Sequence, residues 1–371
     1  MNREKKHIIL AVSNDLVSDQ RVHKVATSLL NNGYTVCVVG RKLPNSLPLP
    51  ELPYATKRLR LLFTKNMMFY AELNIRLFIY LLFSNYAIAT ANDLDTLLGM
   101  YCATRIRRKK LVYDSHEYFT EVPELVHNTK AKRVWETIES WIFPKLTHCM
   151  TVCESIAHIY EQKYSVPVIV VRNVPLLQKH TMSTNVQLPT IPQPHIILYQ
   201  GAVNVGRGIE LMIQAMEYIN NTALLIIGSG DKLEELKEFA KQSKNASCIY
   251  FTGRIPFQQL PAYTNIATIG FSLEEDIGLN YKYALPNKIF DYIHAHKPIV
   301  VSDLPEMSSI IQTYNCGEII YNRNPQAIGQ QITNMLSNTD LLQLYAQNSA
   351  IASKELCWER EEQKLLQCYN I

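Results

Sequence analysis

Lys288 and Asp291, three residues apart, carry more chemistry than any other pair in this chain of 371 residues. They lie in ALPNKIFDYI, which reads as a loop entering a helix with Pro286 at the first helical position. There the missing N–H costs nothing and the fixed φ favours helix entry. The amides of Asn287 and Lys288 then point outward at the positive end of the helix dipole, an arrangement that binds phosphate. Lys288 adds a mobile positive charge, and Asp291, one turn later, offers two acceptors for hydroxyls. A diphosphate with a ribose beside it fits this order of groups. A surface ion pair between Lys288 and Asp291 fits the same spacing.

A second constellation is YQGAVNVGRGIELM (199–212), a strand and a glycine turn followed by Arg207 and Gly208 opening a helix. An arginine there grips a diphosphate bidentately, or else faces solvent. The chain has only 13 glycines, yet eight lie between 201 and 278, Gly201, Gly208 and Gly228 among them. Several directly follow a strand, where glycine lets a backbone approach a ligand closely. GSGD (228–231) is not a GxGxxG fingerprint, and no acid follows in the arrangement that NAD requires.

The first half offers YDSHEYFTEVPEL (113–125), with Asp114, His116, Glu117 and Glu121 at a strand's carboxyl end, where an acid, a base or a charge stabiliser is useful. A structural His–Glu pair is the alternative. ANDLDTL (91–97) brings Asn92, Asp93 and Asp95 to the preceding strand end, to contact a hydroxylated ligand or, for Asp93, to cap the next helix. SNDLVSDQR (13–21), with Asp15, ends the first strand in the same way. No second histidine stands at ligand spacing, so no metal site is expected.

These residues need elements to hold them. In the first half, strands are predicted at 7–12, 34–39, 58–63, 86–91, 110–114, 148–152 and 168–172, with helices between most of them. The clearest helix is 19–32, where Val22, Val25, Ala26, Leu29 and Leu30 form one stripe and Gly33 stops it. Residues 176–194 have no periodicity and three prolines near their end, as a linker should. The pattern then restarts with strands at 195–201, 223–230, 248–253, 267–272 and 298–303. This alternation implies βαβ units and two doubly wound, Rossmann-like domains, with ligands in a cleft at the carboxyl ends of their strands.

The length suits two domains of ordinary size, and an apolar fraction of 47% with 19% charged residues suits an ordered globular protein. Eight scattered cysteines, of which only Cys149 and Cys153 are close, read as reduced thiols of a cytosolic protein. The N-terminal MNREKKHIILAVS reads as a first strand and not a signal peptide, and Leu77–Phe83 is too short to span a bilayer. Residues 1–173 hold 23 Lys and Arg against 15 Asp and Glu, a net +8 in a chain of net +4, so the first half is expected to meet an anionic partner. Residues 57–83 mix Lys57, Arg58, Arg60, Lys65 and Arg76 with MMFY and LFIYLLF, which suits either a membrane-surface site or a buried helix with cationic edges. Nucleic acid is a poor fit, because the basic residues form no recognition helix.

Together these segments resemble the family 4 (group 1) glycosyltransferases of GT-B fold over nearly the whole chain. The match is carried by VSDQRVHKVATSLLNNGYTVCVVGR, YDSHEYFTEVPEL, YQGAVNVGRGIE, LLIIGSGD and YFTGRIP through LPNKIFDYIHAHKPIVVSDLPEM. The resemblance implies transfer of a sugar from a nucleotide-sugar, a UDP-sugar by expectation, to a glycan or lipid-linked acceptor, with retention and without a required metal or other cofactor. It implies an acceptor-binding domain at 1–175, a linker at 176–194 and a nucleotide-sugar domain at 195–355. A helix at 356–371 would cross back to the first domain. Arg207, with the backbone at Asn287 and the charge of Lys288, would neutralise the diphosphate, with Gly201, Gly208 and Gly228 beside it. Asp291 would hold the ribose, and His116 would sit by the transferred sugar. Asp15, Asn92, Asp93 and Glu117 would face the acceptor. A cytoplasmic enzyme follows, with peripheral contact to the inner face of the membrane as a further expectation.

Two positions depart from the family pattern. Tyr283 stands where the first glutamate of the family's pair is expected, and Ala202 replaces an arginine after the first strand of the second domain. Glu274 or Glu275 could take over from the preceding loop. The departures keep two other classes open, a nucleotide-sugar-binding protein with a degraded site and a GT-B UDP-sugar epimerase.

Overall fold

The computed structural model describes residues 6–17, 19–177 and 186–370. The chain divides into two compact units, Met1–Asn173 with Glu361–Ile371, and Val174–Arg360. Part of the expected linker, residues 178–185, lies outside the described residues.

The first unit is built on β1 (His7–Ala11), β2 (Thr35–Lys42), β3 (Ala55–Arg60), β4 (Ile88–Asn92), β5 (Lys110–Ser115), β6 (Cys149–Thr151) and β7 (Val168–Val170). They form one parallel sheet in the order β3-β2-β1-β4-β5-β6-β7. Ile8, Ile9, Leu10 and Ala11 are fully buried, as the strands of a parallel sheet covered on both faces must be. The chain works outward from β1 to β3, then restarts at β4 on the other side of β1. The carboxyl ends of β1 and β4 therefore flank a switch point, where ligands of open α/β sheets bind.

The second unit repeats this plan with β8 (His195–Gln200), β9 (Thr222–Ile227), β10 (Ile249–Gly253), β11 (Ile269–Ser272), β12 (Ile299–Ser302) and β13 (Gly317–Ile320). The order is β10-β9-β8-β11-β12-β13, again parallel, with the reversal between β8 and β11. β13 is the one strand the sequence pattern does not announce. Its four residues, GEII, are too few to show a period, and pairing with β12 defines them.

Local chemistry explains the element boundaries. The helix Gln20–Asn31 starts where the Asp19 carboxylate accepts the Val22 N–H at 3.0 Å, a cap worth about 1 kcal/mol. β3 lies earlier than the expected 58–63, because Glu72 captures the N–H groups of Leu62 and Phe63 and takes them out of the sheet. The helix Asn66–Phe83 packs tightly on the helix Leu94–Arg107. A Cβ added at Gly99 would lie 2.3 Å from the Asn74 carbonyl, and Asn74 also bonds the Gly99 N–H and the Asp95 carbonyl. As to the two readings of 57–83, the helix Asn66–Phe83 is buried along one face, at Phe69, Leu73, Leu77 and Leu81, and exposed along another, at Met68, Ile75, Ile79 and Phe83.

The last helix, Trp358–Tyr369, buries Leu365, Cys368 and Tyr369. Its end belongs to the first unit, where the Tyr369 hydroxyl lies 2.9 Å from that of Thr90. Among the described residues no helix is long and apolar enough to cross a membrane. All eight cysteines are free thiols.

Candidate active site

In the second unit, the carboxyl ends of β8 and β11 bring Arg207, Glu274 and Lys288 together. The loop after β8 ends at Gly208, whose φ of +69° and close approach to the Leu273 carbonyl leave no room for a side chain. Gly228, after β9, is equally constrained: a Cβ there would lie 1.8 Å from the Gly201 carbonyl oxygen. The loop so folded presents Arg207 with its guanidinium 4.9 Å from the centre of the Tyr281 ring. Arg207 Nε is a buried donor without a hydrogen-bond partner.

Lys288 departs from expectation. It is 7% exposed, not mobile in solvent, and its ammonium lies 2.5 Å from Glu274 Oε1 and 4.2 Å from the centre of the Tyr199 ring. The surface pair with Asp291 therefore does not form. Glu274, fully buried after β11, also accepts from the Ser272 hydroxyl at 2.6 Å and lies 3.8 Å from Arg207. Burial opposes its ionisation, but Lys288, the Ser272 hydroxyl and Arg207 overcome that and hold its pKa below the ordinary value. Glu275 takes another path: it is 38% exposed, with one oxygen 3.9 Å from Arg323. Of the two glutamates considered as replacements for the residue lost at Tyr283, Glu274 is engaged by the cations and Glu275 is the more accessible.

The helix Asn287–His294 begins one residue later than predicted. Pro286 has ψ 135° and serves as its N-cap, because an extended ψ places it outside the helix. Ile289 bonds the Pro286 carbonyl at 3.1 Å, and Asn287 and Lys288 supply the first two amides, which have no intrahelical acceptor. Gly270 makes room for this helix, since a Cβ there would strike the Tyr292 ring at 2.4 Å. Tyr292 donates to the Leu198 carbonyl and so fastens the helix to β8.

Asp291 faces a different partner from Lys288. Its carboxylate accepts from Gln200 at 2.8 Å, and Gln200 in turn accepts from the Thr264 hydroxyl at 2.8 Å. These three line a cavity of about 420 Å³. Gly201, Ala202, Gly228, Ser229 and Arg254 line another, of about 240 Å³, at the carboxyl ends of β8 to β10, and Leu260 borders both.

In the first unit, the carboxyl ends of β4 and β5 hold a closed network. Arg21 is 4% exposed and grips Asp114 through Nε at 3.0 Å and Nη2 at 2.6 Å, while Nη1 donates to the Val171 carbonyl. His116 lies between two carboxylates, with Nε2 3.2 Å from Asp114 and Nδ1 3.3 Å from Asp93. Burial disfavours its charged form, but Asp93 and Asp114 prevail and push its pKa up to about 9, so the ring is an imidazolium at neutral pH. Burial raises the Asp93 pKa despite His116, and burial with Asp93 pushes Asp95 up to about 7.

The other first-unit expectations fare differently. Asp93 does not cap the following helix; at φ +60° it accepts the His116 N–H at 2.7 Å instead. Asn92 is buried and donates to the Ala11 carbonyl, which ties β4 to β1, while its Oδ1 has no hydrogen-bond partner among the described residues. Asp15 holds Ser46 and Arg58. Glu121 pairs with Lys132, and the Glu117 carbonyl accepts from Ser115. Two residues escaped the motif reading. Arg21 sits in the first turn of its helix, where a cation is unfavourable without a buried acid, and that mismatch was its signal. Arg323 donates to the carbonyls of Leu273 and Glu274 and to the Ser302 hydroxyl, fixing the loop that carries Glu274; nothing in its sequence context marks it.

Residues 184–351 match the family model of glycosyl transferases group 1. An uncharacterized glycosyltransferase of Methanocaldococcus jannaschii is 25% identical over 182 residues, 47% of this chain; the match spans 45% of that relative's length, under half of it. Among solved structures, sucrose-phosphate synthase of Thermosynechococcus elongatus superposes with a TM-score of 0.77 at 16% identity, covering 98% of each chain. Anabaena HepE in complex with UDP-glucose superposes with a TM-score of 0.73 at 12% identity, covering 98% of this chain and 99% of its own. The two α/β units are thus those of the GT-B fold. Residues 184–351 are thus similar to the glycosyl transferases of group 1, within a chain whose fold is GT-B.

Proposed function

We propose that this protein transfers a sugar from a nucleoside diphosphate sugar, a UDP-sugar in the first instance, to a hydroxyl of a glycan or lipid-linked acceptor. The observation that carries this reading is the buried, unpartnered Nε of Arg207 beside Lys288, at the switch point of a group 1 domain. A diphosphate oxygen supplies the missing acceptor. The two cations and the first amides of the helix Asn287–His294 then stabilise charge as the nucleoside diphosphate departs. These groups suffice without a metal, so transfer is expected to persist in EDTA. The HepE complex with UDP-glucose supports the choice of donor.

The order of groups gives the donor a direction. The nucleoside lies by Gly201, Gly228 and Asp291, the diphosphate by Arg207, Asn287 and Lys288, and the sugar toward Glu275. We favour retention: the acceptor hydroxyl attacks from the face that the diphosphate leaves, and the departing phosphate oxygen takes the proton. Because both ring nitrogens of His116 face carboxylates, it is held as a fixed positive charge and is not placed to act as a base.

A thermal-shift screen of nucleotides and nucleotide-sugars identifies the donor, because ligand binding to the folded state raises its stability. With that donor, Lys288→Ala is expected to abolish turnover while the circular dichroism spectrum stays unchanged. Near-normal turnover in the folded variant contradicts the reading.

A further inference from the structure

We propose that Gln200 is a positioning residue for Asp291, and that with Thr264 it makes the site select ribonucleoside over 2′-deoxyribonucleoside diphosphates. The inference rests on the donor reading above, with the nucleoside beside Asp291. It adds two residues that act through Asp291 alone.

Gln200 is the last residue of β8. Side chains alternate along a strand, so it shares a face with Leu198. That face belongs to the apolar layer that also holds Leu225, Tyr263, Ile289 and Tyr292. An amide buried in such a layer costs free energy unless both of its ends are bonded. A methionine of similar size would fill the space without that cost. Gln200 is 2% exposed, and both ends are bonded: Nε2 donates to Asp291 Oδ2 at 2.8 Å, and Oε1 accepts from the Thr264 hydroxyl at 2.8 Å. Thr264 is equally buried.

The relay has one sense. A carboxylate accepts and does not donate, so the amide must turn its N–H groups to Asp291. Its oxygen then faces Thr264, and the hydroxyl supplies the proton. The Gln200 backbone N–H also donates to the Tyr292 hydroxyl at 3.2 Å, so strand and helix are joined at two successive helix residues. The consequence falls on Asp291, which is half-buried. A fixed donor at Oδ2 takes away the rotation of its side chain and sets the plane of the carboxylate. A plane set in advance meets two neighbouring hydroxyls without the entropy of ordering. A 2′-deoxyribose brings one hydroxyl fewer, and an acceptor that the ligand has desolvated is left short.

The test is calorimetry of UDP and of 2′-deoxyuridine diphosphate with the full-length wild type, Gln200→Met and Thr264→Val. Wild type is expected to bind UDP at least about tenfold more tightly than the deoxy ligand. In Gln200→Met the UDP affinity falls about tenfold while the deoxy affinity changes by less than about twofold, so the preference collapses. Thr264→Val keeps the side-chain shape but frees the amide to turn, and gives the same pattern with a smaller loss. It carries the test alone if Gln200→Met does not fold. Equal losses for both ligands show that Gln200 only holds the structure, and overturn the proposal. A preference that is absent in wild type, or unchanged in the folded variants, does the same. Wild type that binds neither ligand overturns the donor reading and this inference with it, whereas normal UDP binding with an unaltered preference overturns this inference alone.

Discussion

The two switch points share one topology and differ in how their charges close. In the first unit, Arg21 and His116 face Asp93 and Asp114, two cations against two carboxylates, and each guanidinium or ring nitrogen that points inward finds an acceptor within the protein. In the second, Arg207 and Lys288 face Glu274 alone, and a buried donor on Arg207 is left over. A network that satisfies itself fixes a shape. One short by a single anion leaves a buried donor over, and on the proposed transfer a diphosphate oxygen takes it.

Breaking the closed network should cost the most stability. Asp114→Asn leaves the buried Arg21 without its counter-charge, and a loss of about 3–5 kcal/mol is expected for one partner of a buried pair. Denaturant unfolding measures it. A loss confined to a few tenths would show that Arg21 reaches solvent in the folded state.

In the open network, Glu274→Gln is expected to cost less, about 1–3 kcal/mol, because the amide still accepts a hydrogen bond from the Lys288 ammonium. Here the donor nucleotide should raise the melting temperature more than it does in wild type, since its diphosphate replaces the missing charge. An equal rise in both proteins would count against a shared anion position.

A smaller and more local effect concerns His116. Its folded pKa of about 9 lies above the ordinary 6.5. Its contribution to stability is therefore complete below about pH 6.5 and lost as pH rises through about 9. An NMR titration of the ring should show the high midpoint, and Asp93→Asn should lower it. A midpoint near 6.5 in wild type would mean that the ring is not held between the two carboxylates. Asp291→Asn is expected to have the mildest effect, about a tenfold rise in the donor KM at unchanged kcat, since one hydroxyl acceptor is weakened. An unchanged KM would remove Asp291 from the ribose.

Much of this was legible in the chain because the signals are local. Twelve of the thirteen strands among the described residues follow from short β-branched runs, the helix Gln20–Asn31 from its stripe and cap, and the start of the helix Asn287–His294, to within one residue, from Pro-Asn-Lys. What escaped depends on where distant segments meet. Glu274 and Lys288 are 14 residues apart and Arg21 and Asp114 are 93 apart, and no periodicity links them. Lys288 read as mobile because burial of a lysine needs a partner, and that partner comes from a loop placed by Arg323 and β12. Asn92 locks β4 to β1 through its amide N–H, a pairing between distant strands that no local pattern announces. Pro286 missed its position by one residue, since proline suits the N-cap and the first turn alike.

The claim that the second switch point is open for a diphosphate meets its most direct test in titration calorimetry of UDP into wild type and Arg207→Ala. Binding to wild type is expected, with at least about a 100-fold loss in the variant, the scale of removing a charged hydrogen-bond donor from a buried anion. The variant's fold should be unchanged, because Glu274 keeps Lys288. If the folded variant binds UDP as tightly as wild type does, the leftover donor on Arg207 is not the diphosphate site and the account fails.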